Sequence, residues 1–228
     1  MENVVRVLST LALMGAVRSL AGPCETEVGT RIDADFAPTV ALLDRLRGGE
    51  EADIIIVTRQ ALDELSAAGI VVADSRVDLA RSLVGIAVKA GAVHPDIVTE
   101  AALRATLLGA RSVAYSRIGA SGIFFAQLIE RLGIASEVNA RARIIPSGLT
   151  AELLANGEAE LAVQQLSELK LVPGTAIVGA IPRQLQSPMV FSAGRLTASS
   201  RVVQSDGVLR YLTSPAVAPV LREAGLEA

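Results

Sequence analysis

Apolar runs of strand length alternate with amphipathic segments of helix length along nearly the whole chain. Val4 to Leu8 predicts a strand that turns into a helix from about Thr10 to Thr30. There Leu11, Met14, Val17, Leu20 and Ala21 recur at helical spacing, while Gly15, Gly22 and Pro23 weaken the middle. Arg31 to Phe36 reads as a second strand, and Thr39 to Arg47 as a helix with Val40, Leu42, Leu43 and Leu46 on one side. Asp53-Ile54-Ile55-Ile56-Val57 is a continuous apolar run, the pattern of a strand covered on both faces. Thr58 then caps a helix to Ala67. Further on, Ser82 to Val88 predicts a strand, Thr99 to Leu108 a helix capped by Thr99, and Ser112 to Tyr115 a short strand. A glycine-containing loop leads into a helix from Ala120 to Leu132. Arg143-Ile144-Ile145 precedes a helix opened by Ser147, and Leu161-Ala162-Val163 is again strand. Apolar segments Ala176–Ile181 and Met189–Ala193 follow, and helices over Arg201–Leu212 and Pro215–Ala224 close the chain.

Such alternation predicts an α/β fold with mainly parallel sheets. One sheet would need about nine strands, so two lobes of four or five strands are the expected packing for 228 residues. No Pro/Gly/Ser linker marks a boundary. The chain is expected to cross between lobes near residues 81–84 and 186–192, giving 1–82 plus 190–228 as one lobe and 83–189 as the other.

Composition narrows the chemistry. Half of the chain is hydrophobic (51%) and 20% is charged, which excludes disorder. The net charge of -3 is spread along the chain without a basic stripe, so no nucleic-acid partner is expected. With one His (His94), one Cys (Cys24) and no Trp, zinc clusters, intrachain disulfides and aromatic stacking platforms are excluded. No run reaches the ~18 to 20 apolar residues of a membrane span, so no membrane insertion is expected. Leu8–Val17 followed by Ser19–Cys24 loosely imitates a lipoprotein export signal. A single preceding Arg6 offset by Glu2, the interruption at Ser9 and Thr10, and Pro23 before Cys24 argue for the strand-and-helix reading instead. The chain as written is expected to be cytoplasmic, and periplasmic if an export signal precedes it.

The polar residues that stand out are positional. Leu8-Ser9-Thr10, Ala37-Pro38-Thr39, Val57-Thr58, Gly119-Ala120-Ser121-Gly122 and Pro146-Ser147-Gly148 all fall where a strand gives way to a helix. In an open α/β sheet these junctions gather at the carboxyl ends of the strands. Helix N-termini offer unpaired N–H groups and partial positive charge there, and hydroxyls add donors. Ordinary N-capping explains any one of them; an anion cleft explains the set. Gly119–Gly122 is neither a lysine-bearing phosphate loop nor a dinucleotide fingerprint. Gln164 and Gln165 fall just past a strand, and Arg81 and Arg117 are forks suited to a carboxylate.

The order of Val7-Leu8-Ser9-Thr10, Phe36-Ala37-Pro38-Thr39, Gly48-Gly49-Glu50-Glu51-Ala52-Asp53, Tyr115-Ser116-Arg117-Ile118-Gly119-Ala120-Ser121-Gly122, Ile145-Pro146-Ser147-Gly148 and Gly157–Gln165 resembles the molybdate-type substrate-binding proteins of ABC transporters. The resemblance runs from residue 4 to the end. It implies a two-lobed type II periplasmic-binding-protein-like fold with two crossover strands and a small anion held in the cleft by hydroxyls and backbone N–H groups. It implies no cofactor and no metal, and brings an ABC permease as partner. By position it assigns ligand contacts to Ser9, Thr39, the Ala120–Ser121 region and Gly148 or Leu149, with Thr10 beside Ser9 at the first junction, and it puts the further candidate Gln164 where molybdate binders usually carry a tyrosine. Arg117 in the ligand loop suits a carboxylate better than a tetrahedral oxyanion. The chain is also similar to the aconitate isomerases of the same fold branch, which shift a double bond in a tricarboxylate by proton transfer at carbon. A catalytic base does not stand out, since His94 lies in a Gly-Ala-Val-His-Pro-Asp turn that reads as a surface loop.

Overall fold

The computed structural model describes residues 3–228, and the chain divides into two compact units. Unit 1 runs to Ser82 and resumes at Met189; unit 2 is Leu83–Pro188. In unit 1 the elements are β1 (Val4–Thr10), α1 (Met14–Val28), β2 (Arg31–Ala37), α2 (Thr39–Arg47), β3 (Ile54–Thr58), α3 (Arg59–Ala67) and β4 (Val77–Ser82), then β10 (Met189–Arg195), α9 (Val202–Leu212) and α10 (Ala218–Glu223). Unit 2 holds β5 (Val84–Lys89), α4 (Glu100–Gly109), β6 (Val113–Ser116), α5 (Ala120–Arg131), α6 (Ala135–Asn139), β7 (Ala142–Ile145), α7 (Ala151–Ala155), β8 (Leu161–Gln165), α8 (Leu166–Leu169) and β9 (Thr175–Ala180).

Each unit is built on one five-stranded mixed sheet, ordered β2-β1-β3-β10-β4 in unit 1 and β7-β6-β8-β5-β9 in unit 2. In each sheet a single strand runs against the others: β10 is antiparallel to β3 and β4, and β5 to β8 and β9. These are the first strands after the chain changes unit. The parallel strands come from β-α-β connections, which return each strand in the same direction.

The β3 run shows why the sheet of unit 1 is stable. Ile54 and Ile56 pack with Val5, Val7, Leu13, Val17, Leu20 and Val208, whereas Ile55 and Val57 pack with Leu8, Leu42, Leu62 and Leu65. The period of two sends alternate side chains to α1 and α9 on one face and to α2 and α3 on the other. In unit 2, Ala87, Ala114 and Ala162 make a small-residue face covered by Leu154 and Leu169. Tyr115 meets Phe125 edge to face, with ring centroids 5.1 Å apart.

Two expectations change. Strand β4 was not anticipated from Val77-Asp78-Leu79-Ala80-Arg81-Ser82, because it carries charge at two positions and its pairing partner, β10, lies more than a hundred residues away. Nor does Ser147 open a helix. Gly148 has φ 103°, a left-handed conformation that breaks a helical turn, and the helix begins at Ala151. Among the described residues no helix is long and apolar enough to cross a membrane.

Candidate functional site

In unit 1 the strand register brings three junctions to one sheet edge. Ser9 pairs with Phe36 and with Ile56, so the three strands end together, β1 at Thr10, β3 at Thr58 and β2 just before Pro38-Thr39. Ser9 is fully buried and donates its hydroxyl to the Thr10 carbonyl at 3.1 Å. Thr10 ends β1 before a short 3-10 turn, Leu11–Leu13, without capping it. Thr39 is the first residue of α2, its Oγ1 is buried, and it has no hydrogen-bond partner. Thr58 differs: it sits one position before α3 and accepts the Ala61 N–H at 3.4 Å. Neither α2 nor α3 has an acidic residue in its first turn, so the positive end of each helix dipole is uncompensated by its own side chains.

In unit 2, β6 and β7 end together, Ser116 pairing with Ile145, and the Arg117 N–H donates to the Ile145 carbonyl at 2.8 Å. The chain turns at Gly119 and enters α5, again without an acidic first turn or a side-chain cap. A Cβ on Gly122 would lie 1.8 Å from the Ser116 carbonyl oxygen, so only glycine lets the helix start this close to the strand. The Ser116 hydroxyl, against that first turn, is buried without a partner. Ser121 is also buried, Ala120 half-buried, and Arg117 exposed.

Gln164, at the end of β8, is fully engaged inside unit 2. Its Oε1 accepts from the Thr150 N–H at 2.8 Å and the Thr150 hydroxyl at 3.0 Å, and its Nε2 donates to the Gly148 carbonyl at 2.9 Å. Glu168 accepts the Gln165 N–H at 3.2 Å in a reciprocal capping box at the start of α8. Burial pushes this carboxyl up to about 8, against the Gln165 N–H bond that pulls it down.

Uncharged donors at helix N-termini, spare hydroxyls and no acidic side chain in the first turns describe a chemistry for small anions. A family model described as bacterial extracellular solute-binding protein matches residues 5–227. The chain belongs to this family.

Relatives and neighbours agree on the fold. The chain is 39% identical to an aconitate isomerase of a Pseudomonas species, over 99% of its own length and 88% of that protein's. It superimposes on the periplasmic molybdate-binding protein of Azotobacter vinelandii with a TM-score of 0.84 at 18% identity, covering 98% of this chain and 99% of that one. The sulfate-binding protein of Mycobacterium tuberculosis matches with a TM-score of 0.77 at 12% identity, covering 98% and 86% of the two chains. The solute-binding fold of molybdate- and sulfate-binding proteins, with two mixed sheets, is thus the fold of this family member.

The structure sorts the expected site residues by unit. Ser9, Thr10 and Thr39 lie at one sheet edge of unit 1. Arg117, Ala120 and Ser121 cluster at the start of α5, while Gly148 and Gln164 meet in a turn tied by a hydrogen bond. Arg81 stands on β4, where its backbone pairs with Glu227. His94 is exposed on the loop before α4. Three residues were missed. Ser116 could have been found as a hydroxyl ending an apolar strand with glycines three and six residues later. Thr150 carried no signal, because its role depends on Gln164. Glu168 was visible as a lone carboxylate in an apolar stretch, three residues after Gln165 at capping-box spacing.

Proposed function

We propose that this family member binds a small anion, an oxyanion or a carboxylate, through hydroxyls and helix N-terminal N–H groups at its strand ends. The observation that carries this reading is the pair of buried hydroxyls without partners, Thr39 Oγ1 and Ser116 Oγ, at the N-termini of α2 and α5. An unpaired buried hydroxyl costs roughly 1–3 kcal/mol, and a ligand oxygen arriving there recovers that cost. Thr10, Ala120, Ser121 and Gly148 supply the neighbouring donors, and Ser9, whose hydroxyl is donated to the Thr10 carbonyl, would join them only by turning from it. Gln164 has its amide committed internally and serves by holding the Gly148 turn. The ABC permease and the extracellular setting of such proteins belong to the same proposal.

A second reading is favoured by the 39% relative, an aconitate isomerase: a cofactor-independent isomerase of an unsaturated tricarboxylate. Arg117, a fork beside the α5 N-terminus, suits such a polycarboxylate. Proton transfer at carbon would need a base that none of the hydroxyls supplies.

A thermal-shift panel of molybdate, tungstate, sulfate, phosphate, citrate and the two aconitates tests both. A ligand at 100 times its Kd adds about 2.7 kcal/mol. Stabilisation by metal oxyanions alone supports the first reading in its molybdate form. Stabilisation by aconitates with interconversion of the isomers establishes the second. No stabilisation by any of the seven sinks both.

A further inference from the structure

We infer that unit 1 carries a second binding site, for a small apolar organic cation, in a cavity walled by the C-terminal ends of α2 and α3. The site stands at the opposite end of these helices from Thr39 and Thr58, and it does not depend on the anion-binding reading.

The cavity holds about 750 Å³, within the size range of sites for drug-sized molecules. Leu43 and Leu46 of α2, Leu65 of α3, and Ile70 and Leu196 supply its apolar lining. Ile70 leaves 40% of its surface exposed there, beside leucines that are buried or half-buried. Backbone fixes the walls. Gly49 and Gly69, at φ 87° and 72°, stop the two helices in left-handed turns. Val71 bridges Leu196, the Thr197 N–H donates to the Ile70 carbonyl at 2.9 Å, and the Thr197 hydroxyl donates to the Gly69 carbonyl at 2.8 Å. The space is preformed, and an apolar ligand entering it takes from water a surface that the fold alone leaves wet.

Charge decides which apolar ligand fits. The basic residues here are already matched. Arg47, in the lining, pairs with Asp44 at 2.8 Å, and Arg45 pairs with Asp35 and Glu50, so the charges in the last turn of α2 have their partners in place. Glu50 is shared with Arg6. Helix α3 is the reverse. It has no basic residue in its last turn, and Glu64 adds charge of the same sign to its negative end. Glu51 joins Glu64 in the cavity lining. Among the described residues neither carboxylate makes an ion pair, and Glu64 only accepts from the Gln60 amide at 3.2 Å. A neutral apolar ligand would leave both carboxylates as they are, an anion would be repelled, and an ammonium group would gain both of them and the end of α3. The dipole of α3 therefore points its positive end to the strand-end junctions and its negative end, uncompensated, at this cavity.

The test uses three probes of one shape, each with a phenyl ring at the end of the same chain: phenylbutylamine, a cation at neutral pH, phenylbutanol, which is uncharged, and phenylbutyrate, an anion. Methyl NMR of the full chain follows the Leu46, Leu65 and Ile70 signals through each titration. The amine should shift these signals and bind about fivefold tighter than the alcohol, the scale of exposed ion pairs, and the butyrate should bind there weakest. Glu51→Gln combined with Glu64→Gln should bring the amine down to the level of the alcohol and leave the alcohol unchanged. Ala68 and Ala198 line the cavity from exposed positions. Ala68→Phe should fill the space and remove the binding of all three probes from these methyls, and Ala198→Phe does the same from β10's side should Ala68→Phe fail to fold. An amine that leaves the three methyls unmoved, or that binds no tighter than the alcohol, overturns the inference. So does amine binding that survives at full strength in the double Gln variant or in a folded filling variant. Methyl shifts that appear on raising the protein concentration without any probe would put a second copy of the chain in the cavity, and overturn it as well.

Discussion

Thr39 and Thr58 are hydroxyls at strand ends on either side of β1 in the same sheet, and each stands at the start of a helix of nine residues. A shift of one position separates their roles. Thr58 precedes the first helical residue with extended backbone, so its Oγ1 turns onto the Ala61 N–H and satisfies an otherwise orphaned donor. Thr39 is itself the first helical residue, behind Pro38, and from there its side chain reaches no N–H of its own helix. The first hydroxyl is consumed in building the fold, and the second is left over inside it. Unit 2 repeats the contrast: Thr150 is consumed by Gln164 and Val163, and Ser116 is left over. A strand-end hydroxyl therefore says little by residue type; its register against the helix decides whether it is available to a ligand.

The contrast breaks most severely at Gly122. Ser116 can stand unpaired because α5 begins directly on the end of β6, and a methyl group at Gly122 would strike the Ser116 carbonyl. Gly122→Ala should destabilise the protein by about 3 kcal/mol or more, since backbone rather than a flexible side chain must move. Urea unfolding measures this. A loss below about 1 kcal/mol would mean that helix and strand are not locked together there.

The next largest effect concerns a buried carboxyl of unit 2. The carboxyl of Glu168 is raised from an ordinary 4.5 to about 8 in the folded protein. The native state thus keeps a proton that the unfolded chain releases, and stability falls as pH rises from about 4.5 to about 8. Glu168→Gln removes that slope. At pH 9 the variant should exceed wild type by roughly 2–4 kcal/mol relative to their difference at pH 4.5. Parallel stability curves for the two proteins across this range would show that Glu168 titrates normally.

How much of this was legible in the chain follows the same division. The strands β1, β2, β3, β6 and β8 and the helices α2 to α5 were readable because each is written in one local period, and Thr58 and Thr99 cap helices as their positions suggested. The order of the junctions, together with the resemblance, led to the family. Whether a given hydroxyl is spent could not be read. Gln164 meets Thr150 across 14 residues of sequence, and the orphaned state of Ser116 follows from a contact with Gly119 and Gly122 made only when α5 folds back. Strand β4 escaped for a related reason: its pairing with β10 joins segments more than a hundred residues apart, and no local pattern records it.

Thr39→Val sharpens the comparison on the side of the ligand. The change removes the unpartnered hydroxyl and keeps the branched shape, so the free protein should be as stable as wild type or slightly more so. Affinity for the bound anion should fall by about 1–3 kcal/mol, because a charged oxygen loses a donor that nothing else replaces. Isothermal titration with trans-aconitate and with molybdate, beside a thermal melt without ligand, gives both numbers. Ser116→Ala should behave in the same way. If both variants weaken one and the same anion, the donor sets of the two units serve a single ligand. If only one does, each unit's set must be assigned separately.

The smallest expected effect is also the cleanest complement. Thr58→Ala deletes a cap rather than a leftover, so the free protein should lose about 1 kcal/mol, within the 0.5–2 kcal/mol range of such losses. The orphaned Ala61 N–H stays in the first turn of α3, where water replaces the hydroxyl imperfectly because the junction is only partly exposed. Anion affinity should remain within a factor of two of wild type, since the hydroxyl that was removed was already committed to the helix. A stability loss without an affinity loss at Thr58, set against an affinity loss without a stability loss at Thr39, is the outcome that register predicts. Equal affinity losses at both positions would show that Thr58 leaves its helix for the ligand, and that a hydrogen bond seen in the free protein is no guide to which hydroxyls are in reserve.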